Sequence, residues 1–513
     1  MQVGILATTS AALVAVPSLF VFLYSCTLLR TKGYGLPLPP GPRVAWWGNA
    51  AVPRERQWIA YAQEWRERYG DLIYVHMFGN PLLILNSAEV VADLFEKRSS
   101  VYSSRPIRTM IVELMGWGWL FSTLPYGPWW RRHRTLFHNH FHANTLSEYH
   151  PIQIQETHTL LRNLLESPDR FRYYIRRWGA GIVLKMAYGH QMAEEGDDYV
   201  SLADRALEGL AKAGIFGTYM VDYIPALKYV PAWMPGASFQ RKAMEWKRSV
   251  DEMVERPFQM VKRAMSDGTA SSCFMTTELE QAGSDPEQIQ IVKDVAATTY
   301  TAGADTTVST VASFILAMTL HPEIARKAQN ELANNIGTRL PQYTDSLPYI
   351  DCICWELLRW NPVTPLGLAR STTKHDEYRG YLIPKGTTVL PNVWGILHDP
   401  KVYPEPLAFN PDRFLDAEGN TAAGINPLPQ AAFGFGRRMC PGNKIAFQSV
   451  WMAVASILTV YDITNAFDDE GNNVIPKPNF TPAALSHPEP FLCQIKPRSS
   501  HAIALIRQTA EAL

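Results

Sequence analysis

In this chain of 513 residues, the stretch Phe433-Gly434-Phe435-Gly436-Arg437-Arg438-Met439-Cys440-Pro441-Gly442 constrains the fold most. Gly434 and Gly436 allow a tight backbone turn and close approach of neighbouring groups, because glycine lacks a Cβ. Pro441 suits the first position of a helix, where its missing N–H would have no partner. The run from Ile445 to Leu458 continues as that helix. Cys440 is therefore expected at a helix start, where free N–H groups and the helix dipole favour a thiolate. Arg438 beside it suits a planar carboxylate partner. Taken alone, the segment reads equally as a structural turn around a buried thiol.

The other cysteines, Cys26, Cys273, Cys352, Cys354 and Cys493, show no repeated spacing and no CxxC pair. They read as free thiols, not as a disulfide framework. A hydrophobic content of 47% is ample for a large core. With 48 basic and 48 acidic residues, the chain lacks the basic excess of a nucleic-acid binder.

Residues 1–29 carry no charged side chain, and Ile5 to Leu29 are mostly apolar. About 20 apolar residues cross a bilayer core as a helix, and Pro17 is tolerable there. Arg30, Lys32 and Arg43 follow, which marks the cytoplasmic side. A cleaved signal peptide would have a shorter apolar region behind a charged residue. Residues 1–29 are thus expected to be a transmembrane anchor. Residues 30–45, with Pro37, Pro39, Pro40 and Pro42, are expected to be a stiff extended linker. Residues 46–513 then form one body, without a second linker or internal repeat.

Within that body, Leu72–Val75 and Leu82–Leu85 flank Gly79-Asn80-Pro81, a hairpin signal. Ser87 is a candidate N-cap. Long helical patterns fill much of 145–360, short β runs return around 378–393, and the polar stretch 266–290 reads as a surface loop region. The body is mainly α with a small β part.

Glu356 and Arg359 lie three apart on one helix face. Their neighbours Ile350, Ile353, Leu357, Leu358 and Trp360 are apolar, so the pair is expected to be buried and to need further partners. Ala302-Gly303-Ala304-Asp305-Thr306-Thr307 lies inside an apolar stretch from about Ile291 to Leu320, which reads as a buried helix. A mid-helix glycine costs about 1 kcal/mol relative to alanine, so Gly303 asks for a reason. Asp-Thr-Thr also suits a helix cap. Trp130-Arg131-Arg132-His133-Arg134 reads as a basic helix face, either solvated or set against a partner.

Phe433, Gly436, Arg438, Cys440 and Gly442 fill every fixed position of the signature FxxGxRxCxG. Together with ExxR at Glu356 and Arg359, WxxxR at Trp130 and Arg134, and the Ala302–Thr307 element, all in family order up to about Pro497, the chain resembles a cytochrome P450 of the membrane-anchored fungal type. The resemblance implies a P450 fold and haem b, with Cys440 as the iron's axial ligand. A thiolate ligand favours O–O cleavage. It implies Trp130, Arg134, Arg370 and Arg438 at the propionates, and Phe433 and Gly303 in the haem pocket, with α-helix opening at Gly303 to admit dioxygen. Asp305 and Thr306 are the implied proton relay. Arg413, in Phe409–Phe414, would complete Glu356 and Arg359 as a structural triad.

The implied activity is insertion of one oxygen atom from O2 into a small apolar substrate. Electrons would come from NADPH through a separate flavoprotein reductase, since no flavin module is read behind Cys440. The implied location is the endoplasmic reticulum membrane, single-pass, with the body in the cytosol; the sequon at Asn479 would then stay unmodified. Substrate walls are expected from Met110–Phe121, Phe216–Met220, Ala297–Ala304, Val363–Leu368 and Ala483–Leu485. Glu113–Trp117 and Tyr229–Gly236 resemble basidiomycete secondary-metabolism enzymes, a group with tryptamine hydroxylases and terpenoid oxidases. Two alternatives remain open: a haem-thiolate isomerase or dehydratase that needs no O2, and a non-catalytic haem-binding protein.

Overall fold

The computed structural model describes residues 35–42, 53, 55–77, 79–142, 144–193, 195–215, 217–419 and 427–510. The expected anchor and both ends of the linker lie outside them, as does Phe216. The described body is mainly helical with small sheets. Its larger helices include α1 (Pro128–Phe141), α2 (His150–Glu166), α3 (Phe171–Tyr188), α4 (Asp198–Gly214), α5 (Ser238–Ser266), α6 (Pro286–Leu320), α7 (Pro348–Trp360) and α8 (Asn443–Val460).

The central element is α6. Asp285 caps it, accepting from the N–H groups of Glu287 (2.9 Å) and Gln288 (3.3 Å), and Pro286 occupies its first turn. The helix then runs unbroken for 35 residues, so Asp305, Thr306 and Thr307 lie in mid-helix and are not a cap. Apolar residues surround it, and Val311, Phe314, Ile315 and Leu316 are fully buried. Each such side chain contributes about 1.5–3 kcal/mol by leaving water. By length and composition α6 could cross a membrane, but it is the core helix of the body.

The expected opening of α6 at Gly303 is not present; the helix is continuous there. Packing supplies the reason for the glycine. A Cβ on Gly303 would sit 2.3 Å from Cγ1 of Val183 on α3, and one on Gly179 of α3 would sit 2.7 Å from Cγ2 of Val308. Each helix thus yields a glycine to a valine of the other, and the two axes draw close.

A four-stranded sheet has the order β1-β2-β6-β3. The hairpin of β1 (Leu72–Met77) and β2 (Asn80–Leu85) pairs Leu72 with Leu85 and Val75 with Leu82. Gly79 takes the positive φ of its turn. β6 (Thr388–Pro391) lies parallel to β2 and antiparallel to β3 (Arg370–Ser371). β4 (Asp376–Tyr378) and β5 (Tyr381–Ile383) form a second hairpin, turned by Arg379 and Gly380, both at positive φ. β7 (Tyr461–Phe467) pairs with β8 (Asn473–Val474) and β9 (Cys493–Pro497). Ser87 caps the helix Ala88–Ala92 by accepting from Val90 N–H. The proline-rich stretch is docked on the body: the carbonyls of Pro37 and Pro40 accept from the N–H groups of Leu382 and Tyr74, each at 2.8 Å.

The stretch 266–290 is not all loop. Phe274–Ala282 forms a helix, begun by reciprocal hydrogen bonding of Cys273 and Thr276 and burying Phe274, Met275 and Ala282. Its polar lettering hides a short amphipathic face.

Candidate active site: the Cys440 loop and its arginines

The loop ahead of Cys440 is set by two glycines. Gly434 and Gly436 have φ of 81° and 49°. A Cβ on Gly436 would lie 2.3 Å from the carbonyl oxygen of Phe95, so the loop can seat against that backbone only with glycine there. The Cys440 N–H donates to Phe433 O at 2.8 Å and closes the loop. The helix begins later than the sequence suggests. α8 starts at Asn443 with Gly442 as its cap, so Pro441 lies in the preceding turn. Cys440 is the accessible cysteine among those described, whereas Cys273, Cys352 and Cys354 are buried. Although the residue reaches the surface, protein atoms crowd around its sulfur, and this desolvation raises the thiol pKa overall, against the Gly442 N–H and the charge of Arg134, which draw it down.

Four arginines converge around this loop. Arg134, on α1, donates to Met439 O at 2.8 Å. Arg438 donates to Ser103 O (2.8 Å) and Leu124 O (2.6 Å), and its guanidinium lies 4.2 Å above the Trp130 ring. Arg370 donates to Phe435 O and stacks 3.9 Å over Phe95. Arg105 donates to Ser122 O at 2.8 Å and to Leu368 O and Ala369 O at 2.6 Å. Arg105, Arg370 and Arg438 are buried. One nitrogen each of Arg370 and Arg438, Nη1, is buried with no hydrogen-bond partner.

Among the described residues no carboxylate pairs with any of these four. Their mutual repulsion shows in their acidity. Burial, then Arg105 and Arg438, push Arg370 down to about 8. Burial, then Arg105 and Arg134, push Arg438 down to about 8 as well. Burial alone brings Arg105 to about 10. Buried like charges with idle donors call for an anion between them. A planar cofactor with two carboxylates fits this set, with the thiol beside it.

α6 contributes a distinctive face. Between Ile291 and Thr319, Ala302 is the one exposed residue, and Gly303 and Thr306 nearby are half-buried. These three share one side of the helix, so the core opens to a hollow there. Thr306 Oγ1 donates to Ala302 O at 2.8 Å. Asp305 and Thr306 are not brought together. The Asp305 carboxylate instead meets His487 Nε2 (3.0 Å) and Arg176 Nη2 (3.3 Å). Burial raises its pKa, yet His487 and then Arg176 overcome this and hold it below the ordinary carboxylate value.

Of the expected substrate walls, Met110, Met115, Trp117 and Ala297 are fully buried in the core. A separate small hollow brings Pro365, Leu366 and Gly367 together with Ala483, Ala484 and the end of α4 at Gly214 and Ile215.

Behind the cysteine loop, Glu356 and Arg359 form the buried pair, at 2.7 Å (Oε2 to Nε) and 2.8 Å (Oε1 to Nη2). Arg413 Nε reaches Oε1 of the same carboxylate at 3.2 Å. Other Arg359 and Arg413 donors reach carbonyls of Leu397, Pro404, Glu405, Pro406 and Ala408. Of the basic run on α1, Arg132 pairs with Glu287 at 2.7 Å, Arg131 is exposed, and His133 is buried against Asp294 at 3.1 Å. Sequence reasoning missed Arg105, Arg176 and His487. For Arg105 the one signal was an arginine between the apolar residues Val101-Tyr102 and Met110-Ile111.

A helical body that offers a cysteine in a glycine loop, ringed by buried arginines without carboxylate partners, suits a thiolate-held cofactor with acidic groups. The family model for Cytochrome P450 matches residues 38–494, and the chain belongs to that family. A cytochrome P450 monooxygenase of Armillaria gallica is 41% identical over 483 residues, covering 92% of this chain and 94% of the relative. Cytochrome P450 monooxygenase 208 of Postia placenta is 42% identical over 506 residues, 97% and 96% of the two chains. Tryptamine 4-monooxygenase of Psilocybe cyanescens is 37% identical over 490 residues, 94% and 96% of the two. The protein is a P450 monooxygenase.

Proposed function

We propose that Cys440 Sγ would ligate the iron of haem b and that Arg105, Arg370 and Arg438 would receive its propionates. Arg370 and Arg438 each keep a buried Nη1 without a hydrogen-bond partner that could serve for this. Trp130 supports the Arg438 guanidinium from its face, and Arg134 fixes the Met439 carbonyl one residue before the ligand. Phe433 closes the ligand loop through its carbonyl. The bound haem supplies dioxygen activation, and the thiolate favours O–O cleavage. The chain's own residues hold, orient and protonate. Ala302, Gly303 and Thr306 border the reaction space, the Thr306 hydroxyl hands on protons, and Asp305 supplies them. Glu356, Arg359 and Arg413 keep the wall behind the ligand loop rigid.

The observation that carries this reading is the coincidence of one accessible thiol with buried arginines that lack any anionic partner. The isomerase and non-catalytic alternatives are disfavoured by the presence of Asp305 and Thr306 on α6. The substrate is a small, largely apolar molecule of fungal secondary metabolism, aromatic or terpenoid. An indole-ethylamine belongs on the panel because one relative is named for tryptamine. Electrons come from NADPH through a separate flavoprotein reductase. Residues 1–29 anchor the enzyme in the endoplasmic reticulum membrane, residues 30–45 link anchor to body, and the body faces the cytosol.

The test is co-expression with a fungal reductase and product analysis over an aromatic and terpenoid panel. Oxygenated product dependent on NADPH and O2 is expected. Turnover of a panel substrate without either co-substrate would establish the isomerase alternative.

A further inference from the structure

The last turns of α1 carry histidines of two kinds. His133 and His140 meet carboxylates, those of Asp294 and Glu278. His138 and His142 meet none. They lie away from the buried Trp130, Leu136, Phe137 and Phe141, with His138 exposed and His142 half-buried. The two residues are four apart in sequence, one turn of helix. Their ring centroids are 5.4 Å apart, with 49° between the ring planes. A metal–nitrogen bond of about 2.0–2.1 Å puts an imidazole centroid about 3.2 Å from a bound ion. Two such rings 5.4 Å apart subtend about 115° at the ion, close to the tetrahedral angle. The spacing already suits one ion held by both rings.

Thr145 independently readies one ring of the pair. Its Oγ1 lies 2.7 Å from His140 O, 2.9 Å from His142 O and 3.1 Å from His142 Nδ1. A hydroxyl has one hydrogen to donate, and a carbonyl can only accept it. With that hydrogen on the His140 carbonyl, the oxygen accepts from Nδ1–H of His142. Nε2 is then left with the lone pair that a metal takes. A metal-binding histidine commonly donates its other N–H to an oxygen of the protein, which fixes ring and tautomer.

We propose that His138 and His142 form a site for a divalent d-block cation, copper or zinc, held through one nitrogen of each ring with water in the remaining positions. Imidazole suits these ions, whereas magnesium and calcium take oxygen ligands. Among the described residues no cluster of three or more His, Cys, Asp or Glu surrounds a metal position, so the site is open and its ion exchangeable. His142 is the C-cap of α1, and an ion shared with His138 staples the final turn of that helix. One turn before His138, Arg134 holds Met439 O beside Cys440.

The experiment titrates the purified, untagged, haem-loaded protein, first stripped of loose metal by a chelator, with copper sulfate or zinc chloride. Electron paramagnetic resonance at one equivalent of copper should show two nitrogen ligands. Copper should bind more tightly than zinc. Zinc should raise the melting temperature, and magnesium should not. His138→Gln and His142→Gln should each leave one nitrogen in the copper signal, weaken binding by about tenfold or more and abolish the zinc effect, with metal-free melting unchanged. Thr145→Val should weaken copper binding by about tenfold while two nitrogens remain. His501→Gln, at an exposed histidine elsewhere, should change nothing. A two-nitrogen signal that survives both His138→Gln and His142→Gln overturns the site. Binding lost with only one of them overturns the pairing. Unchanged affinity in Thr145→Val overturns the role of that hydroxyl. The nitrogen count of the wild-type signal needs no variant, and one nitrogen or none there overturns the proposal.

Discussion

Glu356→Gln tests whether the triad behind the ligand loop holds the fold. The wild-type carboxylate accepts four hydrogen bonds, from Arg359 Nε, Arg359 Nη2, Arg413 Nε and Asn410 N–H. Side-chain exposure is 0% for Glu356 and Arg359 and 4% for Arg413. Glutamine keeps the shape but leaves two buried guanidinium groups without a counter-charge. Breaking a buried pair by removing one partner costs about 3–5 kcal/mol. Unfolding entropy of about 2.1 cal/mol/K per residue over roughly 470 body residues gives about 1 kcal/mol/K, so Tm should fall by about 3–5 °C. Scanning calorimetry of the purified holoprotein measures this directly. The double variant Glu356→Gln with Arg359→Met should recover part of the loss, because it removes one stranded charge along with the carboxylate. A single variant melting within about 1 °C of wild type would refute the reasoning, since the cost of a stranded buried charge would be missing.

Further outcomes are expected. Cys440→Ser should abolish the thiolate-type spectrum of the reduced CO complex, measured by difference absorbance. Gly436→Ala, which drives a methyl to 2.3 Å from Phe95 O at a φ of 49°, should lower haem content per chain several-fold. Thr306→Ala should divert NADPH to peroxide, read as a rise in peroxide per NADPH consumed. His398, which burial and then the charge of Arg359 hold down at about 3, is a pH-linked group. Its ordinary value is about 6.5, so the unfolded chain takes up its proton first, and stability should fall as pH drops from about 6.5 towards 3. His398→Gln should flatten that slope in a plot of Tm against pH.

The parts of the site most readable from sequence were those packed into short contiguous stretches. The Cys440 loop, the Glu356–Arg359 spacing and the β1–β2 hairpin each carry their signal within about ten residues, in glycine placement, i to i+3 spacing or alternation. What was hidden depends on contacts across the chain. His487 lies 182 residues from Asp305, and no local pattern marks either for the other. Arg105 stands alone between apolar residues, and its meaning appears only when Arg370 and Arg438 are folded beside it. Gly303 was readable as unusual but not for the right reason, because the Val183 methyl that fills its place comes from another helix. The helix Phe274–Ala282 was lost among polar letters whose burial comes from tertiary packing.

The ligand loop is built against the early part of the chain. Gly436 seats on Phe95, Arg438 is held by Ser103 and Leu124, and Arg134 holds Met439, each across more than 300 residues. Such distant partners are slow to meet. During synthesis the cysteine emerges after its whole cradle has already left the ribosome, and a chain stopped short of it has a cradle with nothing to clasp. Any cofactor held there is therefore clasped only after these early partners have emerged.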